Sequence, residues 1–291
     1  MTVASGIVIV DKPSGWTSHD VVARVRRLAS TRRVGHAGTL DPMATGVLVV
    51  GVERATRVLG HLTLSEKTYD ATIRLGRRTV TDDAEGDVTE EVSAADVTDE
   101  ALHRGVSALT GGIEQVPPQF SAVKVAGVRS YKRAREGKQT ELAARSVTVR
   151  AFDIREIHRC GDFLDVDVSI ACTSGTYVRA LARDLGDRLG VGGHLTMLRR
   201  TSVGPYVVDQ ARTLDELAES FTVLPLDDAV AEAFPRRDVS AEQASRVSHG
   251  GRLPVAGFGS GPVGVFGPDG ALLALMVEDG ERMKPLAVFS S

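Results

Sequence analysis

The chain has 291 residues, and what it lacks already narrows its function. Two cysteines, Cys160 and Cys172, are too few for the disulfide framework of a small secreted domain. Both fall in segments expected to be strands, so two buried, reduced thiols are expected. No group of Cys or His has metal-ligand spacing, and no nucleotide or flavin motif is present, so neither a metal nor a cofactor is expected. No apolar run approaches the roughly 20 residues that span a membrane. The start, Met1-Thr2-Val3-Ala4-Ser5-Gly6, has no basic region ahead of an apolar core. A cytoplasmic protein, without membrane attachment, is expected. Aromatic residues make up only 4% of the chain, so each Tyr or Trp in a polar segment carries unusual weight.

What is present reads as an ordinary globular protein, 42% hydrophobic and 25% charged, long enough for one large domain or two. The net charge of −3 argues against a polyanion as partner, but its distribution reverses that reading. Nine acids and no Lys or Arg lie between Thr81 and Glu100. The remainder carries 35 bases against 29 of the 38 acids, a net of +6. A basic face can coexist with this acidic patch, and a polyanion meets the local field.

The most informative stretch is Val34 to Leu48, where three glycines and Pro42 surround one acid, Asp41. Pro42 pushes Asp41 out of helical conformation, and the run Val47–Val52 behind it reads as a buried strand. Asp41 is therefore expected on a loop anchored by core, where both turn formers and working residues sit. Upstream, Gly6–Val10 reads as a first strand and Asp11–Ser18 as a loop. Ser18 is the expected cap of a helix whose apolar face is Val21, Val22, Val25 and Leu28. Arg24, Arg26, Arg27, Arg32 and Arg33 on that helix and its exit fit either a solvated face or a surface that touches phosphates. Lys67–Gly76 alternates as a strand, and Arg77–Gly86 reads as a polar loop. Thr98 caps a helix that ends at Gly111-Gly112.

From Gln115 to Lys138 a Pro-Pro opening leads into basic residues interleaved with Tyr131. It fits either a solvated hairpin or an extended arm along an RNA backbone. Val147–Ile154 and Phe163–Cys172 alternate as antiparallel strands, and a helix follows Gly175-Thr176-Tyr177-Val178-Arg179. Arg179 sits in its first turn, against the helix dipole, as a surface residue or as the partner of a specific acid. His194–Tyr206 reads as loop and strand, and Thr213 caps a short helix. After Leu224–Ala229, a helix from Ser240 and three apolar segments joined through Gly267-Pro268-Asp269-Gly270 make a small β-rich module.

Taken in order, these segments resemble the TruB family of tRNA pseudouridine-55 synthases. Asp11–Ser18 is similar to the family's DKPxGxTS, Gly35–Leu48 to GHxGTLDPxAxGVL, and Lys67-Thr68-Tyr69 to KxY. Gln115–Gly137 is similar to QxPPxxSAxKxxGxRxYxxAR, Gly175–Arg179 to GTYxR, and His194–Pro205 to HLxxLRRxxxGP. Val80 departs from a TDTxDxxG pattern otherwise kept by Thr79, Thr81, Asp83 and Gly86. The resemblance implies an α+β fold with a mixed, largely antiparallel sheet. It implies a catalytic domain over residues 1–225 with a basic RNA-binding arm at about 115–145. A small PUA-like RNA-binding domain is implied over residues 226–291.

It implies isomerisation of uridine to pseudouridine at position 55 in the T-loop of tRNA, without cofactor, by a monomer needing no protein partner. Asp41 is then the catalytic carboxylate, which attacks C1′ or C6 or removes the C2′ proton. A carboxylate facing a base in a dry pocket calls for an opposed cation, and Arg179 is the expected one. Tyr69 lies beneath the uracil, Tyr177 and Leu198 wall the uridine site, and His36 meets the flipped-out RNA. Lys12 supports the loop or a phosphate. Arg24, Arg27, Arg32, Arg33, Lys124, Arg129, Lys132 and Arg133 meet the RNA backbone and offset the few kcal/mol of base extrusion. The competing activities are a uridine-directed RNA glycosidase and a non-catalytic tRNA-binding or tRNA-folding module.

Overall fold

The computed structural model describes residues 4–120, 124–125, 128–129 and 142–289. The chain forms two compact units, each assembled from separated stretches of sequence. One comprises Met1–Pro42, Gly46–Ser65 and Val203–Ser291, and the other Met43–Thr45 and Glu66–Ser202.

The first unit is built on β1 (Gly6–Lys12), α1 (Ser18–Leu28), β2 (Val34–Ala37) and β3 (Thr45–Val52). Strand β3 runs antiparallel to β1, with Val8 opposite Val50 and Lys12 opposite Gly46. It also runs antiparallel to β2, with Gly35 opposite Gly51. Flanked on both edges, β3 is buried from Gly46 onward, which is why its sequence is a continuous apolar run rather than an alternation. The expected loop around Asp41 is bounded upstream by a strand the sequence did not announce, because Val34–Ala37 form β2. Helix α1 is capped by Thr17 and not, as expected, by Ser18. The Thr17 hydroxyl accepts from the Asp20 amide while the Asp20 carboxylate accepts from the Thr17 amide, a closed capping box.

Packing in this unit runs across residue 225. Ile7, Val47 and Val49 share one core cluster with Leu226, Ala229, Val230, Phe266, Leu272, Leu275 and Phe289. The strand Leu224–Pro225 pairs with the start of β1, where any side chain at Gly6 would collide with the Leu224 carbonyl. Arg54 and Arg57 donate to the carbonyls of Phe289 and Val288, and the Tyr206 hydroxyl donates to the Ala229 carbonyl (2.7 Å). The C-terminal strands Val263–Phe266, Leu272–Asp279 and Arg282–Val288 form an antiparallel meander through the expected Gly267–Gly270 turn. Arg236–Asp238 adds in parallel at one edge and Leu253–Pro254 in antiparallel at the other. The helix Ala241–Ser248, capped by Ser240, covers a second small core of Val247, Leu253, Val263, Val265, Ala274 and Met276.

The second unit contains β4 (Lys67–Leu75), β5 (Arg77–Thr79), β6 (Val88–Glu91), α2 (Asp99–Ser107) and β7 (Gly111–Gln115). It continues with β8 (Arg145–Cys160), β9 (Phe163–Cys172), α3 (Val178–Leu189) and β10 (Gly193–Val203). Its sheet runs β10-β4-β9-β8-β7, and β4, β9, β8 and β7 are antiparallel neighbours. Alternation along β9 places Leu164, Val166, Val168, Ile170 and Cys172 inside. The segment Arg77–Gly86, expected as a polar loop, begins with β5, which pairs antiparallel with β6 beyond it. Cys172 is buried as expected, whereas Cys160, at the far end of β8, is exposed. No helix among the described residues is long and apolar enough to cross a membrane.

Candidate active site

In the first unit, Asp41 lies half-buried in the loop between β2 and β3, and positive φ at Gly38 (82°) and Gly46 (94°) turns the chain at both ends. Both neighbours of Asp41 are held through their backbone. The buried Ser18 hydroxyl donates to the Leu40 carbonyl (3.1 Å) and accepts from the Leu40 amide (2.9 Å). On the other side the Pro42 carbonyl accepts from Lys12 Nζ (3.0 Å) and from the Gly15 amide (2.9 Å). Lys12 is wholly buried and donates also to the carbonyls of Pro13 (2.9 Å) and Trp16 (2.6 Å). One ammonium thus ties the Asp11–Trp16 loop to the peptide that follows Asp41. Three carbonyl dipoles offset the cost of burying that charge. Because Thr17 takes the helix cap, the Ser18 hydroxyl is left for the Asp41 loop.

His36 stands on β2 beside this loop, its ring edge-on to His19 of α1 at 5.7 Å between centroids. Of the basic residues nearby, Arg27, Arg32 and Arg33 are exposed and Arg24 is half-buried. Arg33 lies 3.7 Å from Glu53, and Arg26 donates to the Val34 carbonyl (3.0 Å).

The second unit carries Tyr69, Tyr177, Arg179 and Leu198. Tyr69 is buried on β4 opposite Ile170, and Leu198 is buried on β10, the strand beside β4. Tyr177 is the N-cap of α3, and its side chain makes no capping hydrogen bond. Gln115, wholly buried at the end of β7, holds that backbone instead. Its side-chain oxygen accepts from the Tyr177 amide (2.8 Å) and its nitrogen donates to the Tyr177 carbonyl (3.1 Å). Arg179, 5% exposed, donates to the Thr81 carbonyl (2.8 Å) and the Phe120 carbonyl (3.0 Å). Its guanidinium also lies 3.5 Å from the buried Asp83 carboxylate, whose other oxygen accepts from the Thr81 hydroxyl (2.5 Å) and the Glu85 amide (3.0 Å). Arg179 is therefore a buried cation with a buried acid partner, and its unusual first-turn position is explained by Asp83 and two carbonyls. Val80, the departure in this segment, is exposed and contributes only backbone, its amide donating to the Asp87 carbonyl (3.0 Å).

Burial sets two further groups in the second unit. Lys67 and Cys172 face each other across β4 and β9. Burial, reinforced by Arg200, pulls the Lys67 ammonium down to about 8, while burial pushes the Cys172 thiol up to about 11. His194 is buried with Nδ1 3.1 Å from the Arg77 carbonyl, and burial lowers its pKa.

The sequence-expected residues thus fall into two groups: Lys12, His36 and Asp41 in one unit, and Tyr69, Tyr177, Arg179 and Leu198 in the other. Lys124 and Arg129 pair in a two-residue hairpin, of which the backbone alone is described, and Lys132 and Arg133 lie outside the described residues. Sequence reasoning gave Ser18 only the helix cap, and gave no role to Gln115 or Asp83. Thr17-x-x-Asp20 as a capping box was the readable sign that Ser18 was available.

Comparison with known proteins identifies the family. The TruB family pseudouridylate synthase (N terminal domain) model matches residues 26–178. The tRNA pseudouridylate synthase B C-terminal domain model matches 179–231, and the tRNA Pseudouridine synthase II, C terminal, model matches 234–290. The chain is 62% identical to the tRNA pseudouridine synthase B of Thermobifida fusca (strain YX), covering 99% of each chain. It is 58% identical to that of Streptomyces coelicolor, covering 99% of this chain and 98% of the relative. Among solved structures, a Cbf5-Nop10-Gar1 complex matches with TM-score 0.76 at 28% identity, over 100% of this chain and 85% of the other. An H/ACA RNP bound to a substrate RNA containing 2'-deoxyuridine matches with TM-score 0.75 at 25% identity, over 98% and 85%. The chain belongs to the TruB family of pseudouridylate synthases.

Proposed function

We propose that this chain is a tRNA pseudouridine synthase that isomerises the uridine at position 55 of the T-loop, with Asp41 as the catalytic carboxylate. The observation that carries the reading is the construction around Asp41. A buried lysine, a buried serine and a glycine amide fix the backbone on both sides of one acid. Such fixation supplies the orientation a reacting carboxylate needs. The relatives' shared name, tRNA pseudouridine synthase B, supports the substrate.

In the reaction the N1–C1′ bond of uridine breaks, the uracil turns, and C5 bonds to C1′, with the C5 proton lost and one gained at N1. Asp41 engages the nucleotide, Tyr69 stacks on the extruded base, and Tyr177 and Leu198 wall the pocket. Arg179, locked by Asp83, Thr81 and Phe120, is the cation assigned to the reaction. His36 meets the RNA, and the arginines of α1 and its exit, with the arm around residues 115–145, meet its backbone. Residues 1–225 form the catalytic domain, and residues 226–291 are the RNA-binding module.

A T-arm minihelix incubated with wild type and with Asp41→Asn tests this. Wild type is expected to place pseudouridine at position 55 and Asp41→Asn to bind the RNA with no product. Free uracil among the wild-type products would instead mark a glycosidase. RNA binding with no product from wild type would mark a tRNA-folding module.

A further inference from the structure

Helix α3 carries a second arginine one turn beyond Arg179. Arg183 is 22% exposed and projects from the same helix face. Its guanidinium reaches three ways. It donates to the Val116 carbonyl (2.8 Å), it lies 3.3 Å from Asp82 Oδ2, and it donates to Asp184 Oδ1 through Nε (2.9 Å) and Nη2 (2.8 Å). These contacts repeat those of Arg179. Each arginine joins α3 to the same two segments. Arg179 takes Thr81 and Asp83 from the first segment and Phe120 from the second. Arg183 takes Asp82 from the first and Val116 from the second. Residues 81–83 and 116–120 are thus stitched to α3 twice. The 81–83 segment is further fixed by the Leu195 amide, which donates to the Asp82 carbonyl (3.1 Å).

We propose that Arg183 is a positioning residue, the lower of two arginine clamps, which fixes residues 116–120 and Asp82 against α3 and so keeps Arg179 in its working geometry. The functional half rests on the reading of Arg179 given above, and the geometric half does not. Loss of the lower clamp removes one of the two arginine attachments of Val116–Phe120 to α3, so the carbonyl that helps aim Arg179 is held less firmly. Displacement of about 1 Å at such a group costs on the order of a hundredfold in rate, and a partial loosening is expected to cost about tenfold. Lysine does not replace the clamp, because one ammonium lacks the planar fork that meets a carbonyl and two carboxylates together.

Hydrogen exchange on the free protein and single-turnover kinetics on a T-arm minihelix, for wild type, Arg183→Ala and Arg183→Lys, test the proposal. Expected are faster amide exchange at Val116, Gln119 and Phe120, the residues of this segment that carry an amide hydrogen, in both variants, with β4 unchanged, and a rate at saturating enzyme down about tenfold with RNA affinity within threefold. Unchanged exchange at these three amides in Arg183→Ala overturns the clamp. A fully wild-type Arg183→Lys overturns the need for a fork. Equal losses in affinity and rate overturn the route through Arg179. Faster exchange alongside a wild-type protein that forms no pseudouridine keeps the clamp and removes the assigned activity instead.

Discussion

Asp82 gives the sharpest prediction, because its environment pulls in opposite directions. Its carboxylate lies 3.3 Å from Arg183 with Arg179 also near, yet burial outweighs both and raises its pKa from 3.8 to about 6. The acids Asp184 and Asp83 push the same way as burial. Between pH 3.8 and about 6 the folded state holds a proton that the unfolded chain has released. Stability therefore falls as pH rises through that window, and the whole cost is present above it. At 1.36 kcal/mol per pH unit the cost is about 3 kcal/mol. Asp82→Asn mimics the protonated acid, and the substitution suits the backbone, which sits at φ 59°, a left-handed conformation that Asn adopts readily. The variant is expected to be more stable than wild type at pH 7 by up to about 3 kcal/mol. That corresponds to roughly 6–10 °C in Tm for a chain of this size. The advantage should shrink below pH 6 and vanish near pH 4. Urea denaturation of both proteins from pH 4 to pH 8, with Cm as readout, measures it. A variant less stable at neutral pH, by an amount independent of pH, would refute the reasoning. It would show that the bond to Arg183 outweighs the desolvation of the acid.

Other positions give further tests. Ser18→Ala leaves both backbone groups of buried Leu40 short of a partner, which is expected to cost about 1–3 kcal/mol in a denaturant titration. The same variant should lower the saturating rate of pseudouridine formation more than RNA affinity, since it frees one side of the Asp41 loop. Lys67 is the mirror image of Asp82, a base pulled down from 10.5 to about 8 mainly by burial. Its charged form burdens the fold below about pH 8, and wild type should gain stability as pH rises from about 8 to 10.5. Lys67→Met is expected to be more stable at pH 7 by up to about 3 kcal/mol and to lose that advantage across the same window, read by Cm at several pH values.

What could be read from the sequence was whatever is encoded locally. The β3 run, the alternation of β9 and the caps Thr98, Thr213 and Ser240 each lie within one short window, and each stands where the pattern puts it. Asp41 belongs to the same class, because Asp-Pro between glycines ahead of an apolar strand requires a loop, although β2 claimed part of the stretch assigned to it. The failures are local contests decided from a distance. Ser18 and Thr17 are both good caps, and the contest was settled by Leu40, 22 residues away, which recruits Ser18. Nothing near Cys160 in sequence shows that β8 outruns the core and leaves its far end in solvent.

The partners of Arg179 are less local still. The oddity of a cation in a first turn was visible, and it fitted either a surface residue or the partner of an acid, of which many were available. The structure supplies Asp83 at 3.5 Å, from a segment whose nine acids looked like a solvated patch. Two of those nine, Asp82 and Asp83, are instead turned inward to neighbouring arginines of α3, roughly 100 positions away along the chain. A run of acids is ordinarily a solvated face because an unpaired buried carboxylate is costly. The exception arises where two arginines one helical turn apart can take two consecutive carboxylates, and that match is written in no single window of the sequence. The same match makes the 81–83 segment, otherwise an exposed hairpin end, a fixed wall for Arg179. Its acidity therefore serves placement of a cation.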